Sequence, residues 1–242
     1  MRIAVLSDIH SNLPALEAVL AALGELDACW HLGDVVGYGP HPVEAIERLA
    51  AVQAVSVMGN HDAAVLGTIT PDWFNEDARA AIRWTVDRLT PAARHWLQAL
   101  PETAVDGDFT LVHGSPREPL FEYLLSRAAA RPNIESLETP HGLVGHSHIP
   151  LAFHQEEGDH DLGATVGLEG TVMELDRRRV IANPGSVGQP RDGDFRASAV
   201  LFDRDAGTLT WHRVEYDIDA VQAAMRAAKL PKRLIDRLSR GR

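Results

Sequence analysis

The chain is short of three things, and each shortage excludes a class of protein. It has one cysteine, Cys29, in 242 residues. No intramolecular disulfide can form, so a packed core must supply the stability, and a reducing compartment is expected. Cys29 stands among apolar neighbours and reads as a core thiol. Basic residues are also scarce, 23 Lys and Arg against 34 Asp and Glu, for a formal net charge of −11. That balance argues against a protein whose whole surface grips nucleic acid or membrane. Finally, no apolar run approaches the roughly 20 residues of a membrane span. Met1-Arg2 leads straight into a strand pattern and not a secretory leader. A cytoplasmic protein with no membrane partner is expected.

Apolar residues are plentiful: 45% of the chain is hydrophobic. That supports one large α/β domain over residues 1–242. Five short islands carry candidate metal ligands. They are Asp8-Ile9-His10, Gly33-Asp34, Gly59-Asn60-His61-Asp62, His113-Gly114 and Gly145-His146-Ser147-His148. Four follow apolar runs, at 3–6, 54–58, 109–112 and 142–144, which read as buried strands. Ligands at several strand ends converge on one edge of a sheet, where α/β proteins build their sites. Carboxylate, imidazole and carboxamide without thiolate suit hard or borderline divalent ions.

Along the chain, Asn12 can cap a helix over 15–23 that Gly24 ends. A strand near 28–32 and a helix over 42–50 follow. Residues 63–104 read as a helical insertion, with a loop over 66–75 and helices over 76–89 and 91–100. Residues 115–141 separate two islands as a long substrate-side loop with a helical piece near 120–130. The last third is β-rich, with strands over 151–154, 170–174, 179–182, 197–203 and 208–214. Residues 183–192 form a turn-rich break. The basic end, a helix over 218–238 interrupted by Pro231, reads as a solvated face.

The islands, in this order and spelling, resemble the calcineurin-like metallophosphoesterase superfamily, whose pattern runs D-x-H, G-D, G-N-H-[DE], H, G-H-x-H. The turn Asn183-Pro184-Gly185-Ser186 is similar to its small bacterial and archaeal phosphodiesterase branch. Protein Ser/Thr phosphatases continue the second block as G-D-x-x-D-R-G. Here Gly33-Asp34 is followed by Val35-Val36-Gly37-Tyr38-Gly39, which argues against phosphoprotein substrates. The resemblance implies a four-layer αββα sandwich, two mixed β-sheets flanked by helices. It implies two divalent ions: Mn, Fe, Zn, Ni or Co, with Mg a poorer fit. Asp8, His10 and His148 would hold one, Asn60, His113 and His146 the other, and Asp34 would bridge them. His61 would act as acid or transition-state donor, and Asp62 could orient it. Two divalent cations outweigh two ligand carboxylates and a bridging hydroxide, so the pocket would be cationic within an acidic protein and would select phosphate anions.

The implied activity is hydrolysis of a phosphodiester or nucleotide-type substrate by that hydroxide. Alternatives are a broad phosphomonoesterase or a symmetrical dinucleoside tetraphosphate hydrolase. A non-catalytic scaffold on the same fold is the distant alternative. Arg117 and Arg191 are candidates to clamp a substrate phosphate, and Tyr38 and Tyr123 to stack a base or donate to a phosphate. His31, His41, His95, His154, His160 and His212 read as structural or surface residues, and His141 as either that or a neighbour of the ligands.

Overall fold

The computed structural model describes residues 1–155, 161–176 and 178–242, so His160 lies outside it. Strand β1 (Arg2–Leu6) runs through the first island into helix α1 (Leu13–Leu23). Asn12 caps that helix by accepting the Ala15 N–H at 3.2 Å. Next come β2 (Ala28–His31), α2 (Pro42–Ala51) and a β3 of only Val55–Ser56. The longer strand expected over 54–58 does not form. The Met58 N–H leaves the sheet for the Pro101 carbonyl (2.8 Å), and Asn60 opens helix α3 (Asn60–Leu66).

A 3-10 turn at Pro71–Trp73, α4 (Glu76–Val86) and α5 (Pro91–Gln98) complete the helical stretch. Strand β4 (Thr103–Asp106), too short and polar to register in the sequence, turns at Gly107 into β5 (Phe109–Val112). The helix expected near 120–130 lies later, as α6 (Arg127–Ser136). Ser126 sets its start by accepting the Ala129 N–H at 3.2 Å. The chain before it folds back, with the Gly114 N–H on the Pro119 carbonyl at 2.6 Å. Strands β6 (His141–Leu143), β7 (Leu151–Gln155), β8 (Gly163–Val166), β9 (Val172–Glu174), β10 (Arg179–Asn183), β11 (Ala197–Asp203) and β12 (Thr208–Val214) follow. Helices α7 (Ile218–Ala227) and α8 (Lys232–Leu238) end the chain, parted at Pro231. No helix of the described residues is long and apolar enough to cross a membrane.

The strands form two mixed six-stranded sheets, ordered β3-β2-β1-β11-β12-β9 and β4-β5-β6-β10-β7-β8. Within them β1, β2 and β3 are parallel neighbours, as are β5, β6 and β10. Side-chain alternation divides the core into layers. Ile3 and Val5 face the second sheet and pack with Trp30, Phe109, Leu111, Val180 and Trp211. Ala4 and Leu6, one residue out of phase, pack under α1 and the other helices of that face. On the far side, Val112 and Ile181 pack against Ala130 and Ile134 of α6. The result is an αββα sandwich. The parallel strands of both sheets end at the islands, which gathers these distant segments at one edge of the sandwich.

Leu111 is fully buried between the sheets. Leu111→Ala is expected to cost about 2–5 kcal/mol of unfolding free energy, from lost burial plus the cavity left behind. Urea denaturation measures it. A loss below about 1 kcal/mol contradicts the packing described.

Candidate metal centre

Three of the candidate histidines are fixed by the same device. The Nδ1 of His10 lies 3.0 Å from the Val36 carbonyl, that of His113 2.8 Å from Leu32 O, and that of His148 2.6 Å from Gln189 O. A carbonyl can only accept, so each Nδ1 carries a proton and each ring turns its Nε2 inward, where it offers a lone pair whenever the ring is neutral. These lone pairs meet one another. His10 Nε2 lies 3.1 Å from His148 Nε2, and His148 Nε2 lies 3.1 Å from Asp8 Oδ1. Asp8 Oδ1 has no hydrogen-bond donor although it is wholly buried. Across the cluster, Asp34 Oδ2 lies 3.6 Å from His10 Nε2 and 3.4 Å from His113 Nε2. His113 Nε2 lies 3.0 Å from Asn60 Oδ1. Asp34 is thus shared between two groups of donors. His146 stands farther out, its ring 5.0 Å from that of His113 and stacked on Tyr123 at 4.0 Å.

The backbone is bent to make this possible. Nine non-glycine residues among those described have positive φ, and seven are in or beside the islands: Asp8, His10, Ser11, Asp34, Tyr38, His146 and His148. Side chains rarely adopt this conformation, which persists only where surrounding bonds enforce it. Asp62 supplies such bonds. Its carboxylate accepts the N–H groups of Asp34 (2.8 Å), Gly59 (3.0 Å), Val36 (3.1 Å) and Val35 (3.4 Å). It therefore pins the Asp34 loop and the start of α3, and no bond joins it to the His61 ring. At Gly59 a Cβ would come within 2.1 Å of Asp34 Oδ1, and at Gly145 within 2.0 Å of Ser7 Oγ. Only glycine fits at either. Asn183 holds the fifth island by donating to Gly145 O (2.6 Å) and Ser147 Oγ (3.0 Å), while Ser186 donates to Asp8 O at 2.8 Å.

Burial sets the charge states. It opposes ionisation of Asp8 and Asp34, yet the imidazoles outweigh it, His148 for Asp8 and His113 for Asp34, and both carboxyls fall below the usual range. Burial also pushes His10 and His148 down and takes His146 to about 3. For His113 burial is overcome by Asp34, by contact and charge, and the ring rises to about 9. Burial and the Asp34 charge lift Asp62 to about 7 against the pull of its amide donors. His61 is lowered to about 4, chiefly by burial, with Arg191 adding to it. One of its ring nitrogens lies within 4.8 Å of the His10 and Asp34 donor atoms.

A cavity of about 390 Å³ opens over this cluster. Asp34, Asn60, His61, His146 and His148 form its floor, and Tyr38, Tyr123 and Arg191 line its walls. Arg117 does not line it. Its backbone N–H donates to Asn133 Oδ1 (3.1 Å), and its charge bears on Glu122. Trp73 and Phe74 come from the helical insertion expected to flank the site, whereas Asn75, Phe121 and Arg237 of the basic end line the wall without having been singled out from the sequence. Helical periodicity gave no sign that these face a cleft. His31 is buried in β2, and His141 packs on Phe109 at 5.0 Å, so neither joins the donor cluster.

Comparison with known proteins decides the family. Residues 1–207 match the model of the calcineurin-like phosphoesterase superfamily domain. The chain belongs to that superfamily. It is similar to a metallophosphoesterase structure from Sphaerobacter thermophilus, 45% identical with a TM-score of 0.92, covering 100% of this chain and 99% of that one. An uncharacterized protein of Methanocaldococcus jannaschii is 38% identical over 99% of this chain and 98% of its own length. The phosphodiesterase YfcE of Escherichia coli is 28% identical over 85% of this chain and 89% of its own. The protein is therefore a metal-dependent phosphoric ester hydrolase of this superfamily. Its donor set fits the metal requirement on physical grounds. Facing lone pairs, two buried carboxylates and an unpartnered Asp8 oxygen are what a divalent cation satisfies and what no neutral packing would.

His113 yields a pH prediction. In the metal-free phosphoesterase its ring is charged below about 9, whereas metal coordination needs the Nε2 lone pair. Binding therefore releases a proton, and apparent metal affinity rises with pH up to about 9 and levels off above it. Calorimetry of Mn binding at pH 7.5 in buffers of different ionisation enthalpy is expected to show about one proton released. No release means that His113 is already neutral or is not a ligand.

Proposed function

We propose that the cluster holds two divalent ions, of Mn, Fe, Zn, Ni or Co, with Asp34 shared between them. Asp8, His10 and His148 serve one ion, and Asn60, His113 and His146 serve the other. The reaction is hydrolysis of a phosphodiester or nucleotide-type phosphoester lying in the cavity. The observation that carries this reading is the pair of donor groups turned toward each other on either side of Asp34. Bound there, such ions would lower the pKa of a water molecule and neutralise the phosphoryl oxygens.

The chain's own residues do the rest. The Nδ1–carbonyl bonds keep His10, His113 and His148 in one tautomer and orientation, so the donors need no reorganisation. Asp62 keeps Asp34 in place through the backbone. His61 sits on the floor, its main-chain N–H donating to Asp34 Oδ1 at 2.8 Å and its ring set against Tyr38 (4.4 Å) and Phe74 (4.8 Å). That placement suits a hydrogen bond from the neutral ring to the developing negative charge, and proton donation to the leaving oxygen once the charge of a bound phosphate has raised the ring from about 4. Trp73 is 76% exposed and pairs with Phe121 at 5.8 Å at the cavity wall. A bare monoester would leave this aromatic surface unused, whereas a base or other flat substituent would stack on it. YfcE, named a phosphodiesterase, supports the diester reading.

Protein stripped of metal, as verified by elemental analysis, should not hydrolyse bis(p-nitrophenyl) phosphate, and Mn should restore turnover. Turnover by the stripped protein at the untreated rate contradicts the proposal. A higher kcat/KM for p-nitrophenyl phosphate than for the diester points instead to a phosphomonoesterase. His61→Ala is expected to keep its metal and lose about 10²–10⁴ in kcat, less on substrates with good leaving groups. Loss of metal in that variant would make His61 a ligand.

A further inference from the structure

Two arginines enter the cavity from separate parts of the chain, Arg191 from the turn after β10 and Arg237 from α8. Among the described residues no Asp or Glu side chain lies within ion-pair distance of either guanidinium. Of the acidic residues next to them in sequence, Asp192 pairs with Arg213 and Asp236 with Lys232, while the charge of Asp77 reaches Arg237 from beyond ion-pair distance. Arg191 reaches only uncharged oxygens, Tyr38 OH and Gln189 Oε1, both at 3.4 Å, and its Nε is buried without an acceptor. Arg237 donates through Nε to an oxygen of Arg242, the last residue of the sequence, which offsets part of its charge, and its two terminal nitrogens make no hydrogen bond among the described residues. Burial chiefly, then the charge of Arg191, lowers Arg237 to about 10. The charge of Arg191 also reaches His61 and His148. Two guanidinium groups lining one half-buried wall repel each other, and an anion placed between them relieves that repulsion. Guanidinium groups suit phosphate oxygens, which they can engage with paired N–H donors.

We propose that Arg191 and Arg237 form an anion subsite beside the metal cluster, which binds a second phosphate of the substrate, next to the one that is attacked. This rests on the hydrolase reading and narrows it to diphosphate-bridged esters of the nucleotide type. In that reaction one water is consumed and its oxygen bonds to the attacked phosphorus. The P–O–P bond breaks, and the neighbouring phosphate leaves with the bonding pair. Two phosphomonoesters and two protons result.

Calorimetry on the Mn-loaded, full-length protein tests the subsite with two non-hydrolysable diadenosine probes. One is bridged by methylenediphosphonate and carries two charges. The other is bridged by a single phosphonate and carries one. The wild type is expected to bind the first at least about tenfold more tightly, and Arg237→Gln should bring the two within about threefold. Arg237→Lys should recover only part of the preference, since an ammonium keeps the charge but lacks the fork. The melting midpoint and metal content of each variant check that it is folded. If Arg237→Gln does not fold, the wild-type ratio and its decline at high salt decide the matter. Equal wild-type affinities, a ratio unchanged in Arg237→Gln, or an equal loss for both probes each overturn the proposal. Turnover of bis(p-nitrophenyl) phosphate by the wild type tests the hydrolase reading separately. Its absence with the binding preference intact removes the reaction and leaves the subsite.

Discussion

Lone pairs of neutral imidazoles, held face to face with buried carboxylates, are the constraint on which this protein turns. His10 and His148 point their Nε2 atoms at each other across 3.1 Å, and Asp8 adds an oxygen with no donor. Left to itself such a grouping is repulsive. It persists because three backbone carbonyls fix the ring tautomers, Asp62 gathers four amides, and the 183–189 turn ties down the loops that carry Asp8 and His148. The left-handed backbone at five candidate ligands belongs to the same economy. The fold holds strained donors in readiness, and a cation relieves the conflict.

The architecture serves that purpose. Parallel strands in both sheets end at the same edge, so segments more than a hundred residues apart in sequence meet within hydrogen-bonding distance. A core of alternating side chains between the sheets makes that edge rigid. The surroundings are then divided by charge. The chain as a whole is acidic, with a net charge of −11. The cavity instead collects Arg191 and Arg237, and the imidazoles around it are held neutral by burial. An acidic protein can thus draw an anionic substrate to one place on its surface.

Much of this was legible in the sequence, for physical reasons. Apolar runs bounded by ligand residues marked β1, β5 and β6, and the five islands marked the donors, because metal chemistry demands particular atoms at strand ends. Asn12 as a helix cap was legible because capping is local. Other features depend on contacts no local pattern encodes. β3 shrinks to two residues because Met58 bonds to Pro101, far along the chain. Adjacency in sequence suggests that Asp62 orients His61, but the start of α3 turns its side chain onto the Asp34 loop instead. Arg237 read as part of a solvated basic face, and Arg117 and Arg191 could not be told apart. Only the packing of α8 against the site, and the fold-back that holds Arg117 beside Asn133, separate them.

The most direct test of the account is anomalous X-ray scattering at the Mn edge from crystals of the Mn-loaded protein. The account predicts two peaks, one on either side of the Asp34 carboxylate. One should touch Asp8, His10 and His148, the other Asn60, His113 and His146. A single peak remote from Asp34, or none in protein shown by elemental analysis to contain Mn, contradicts it.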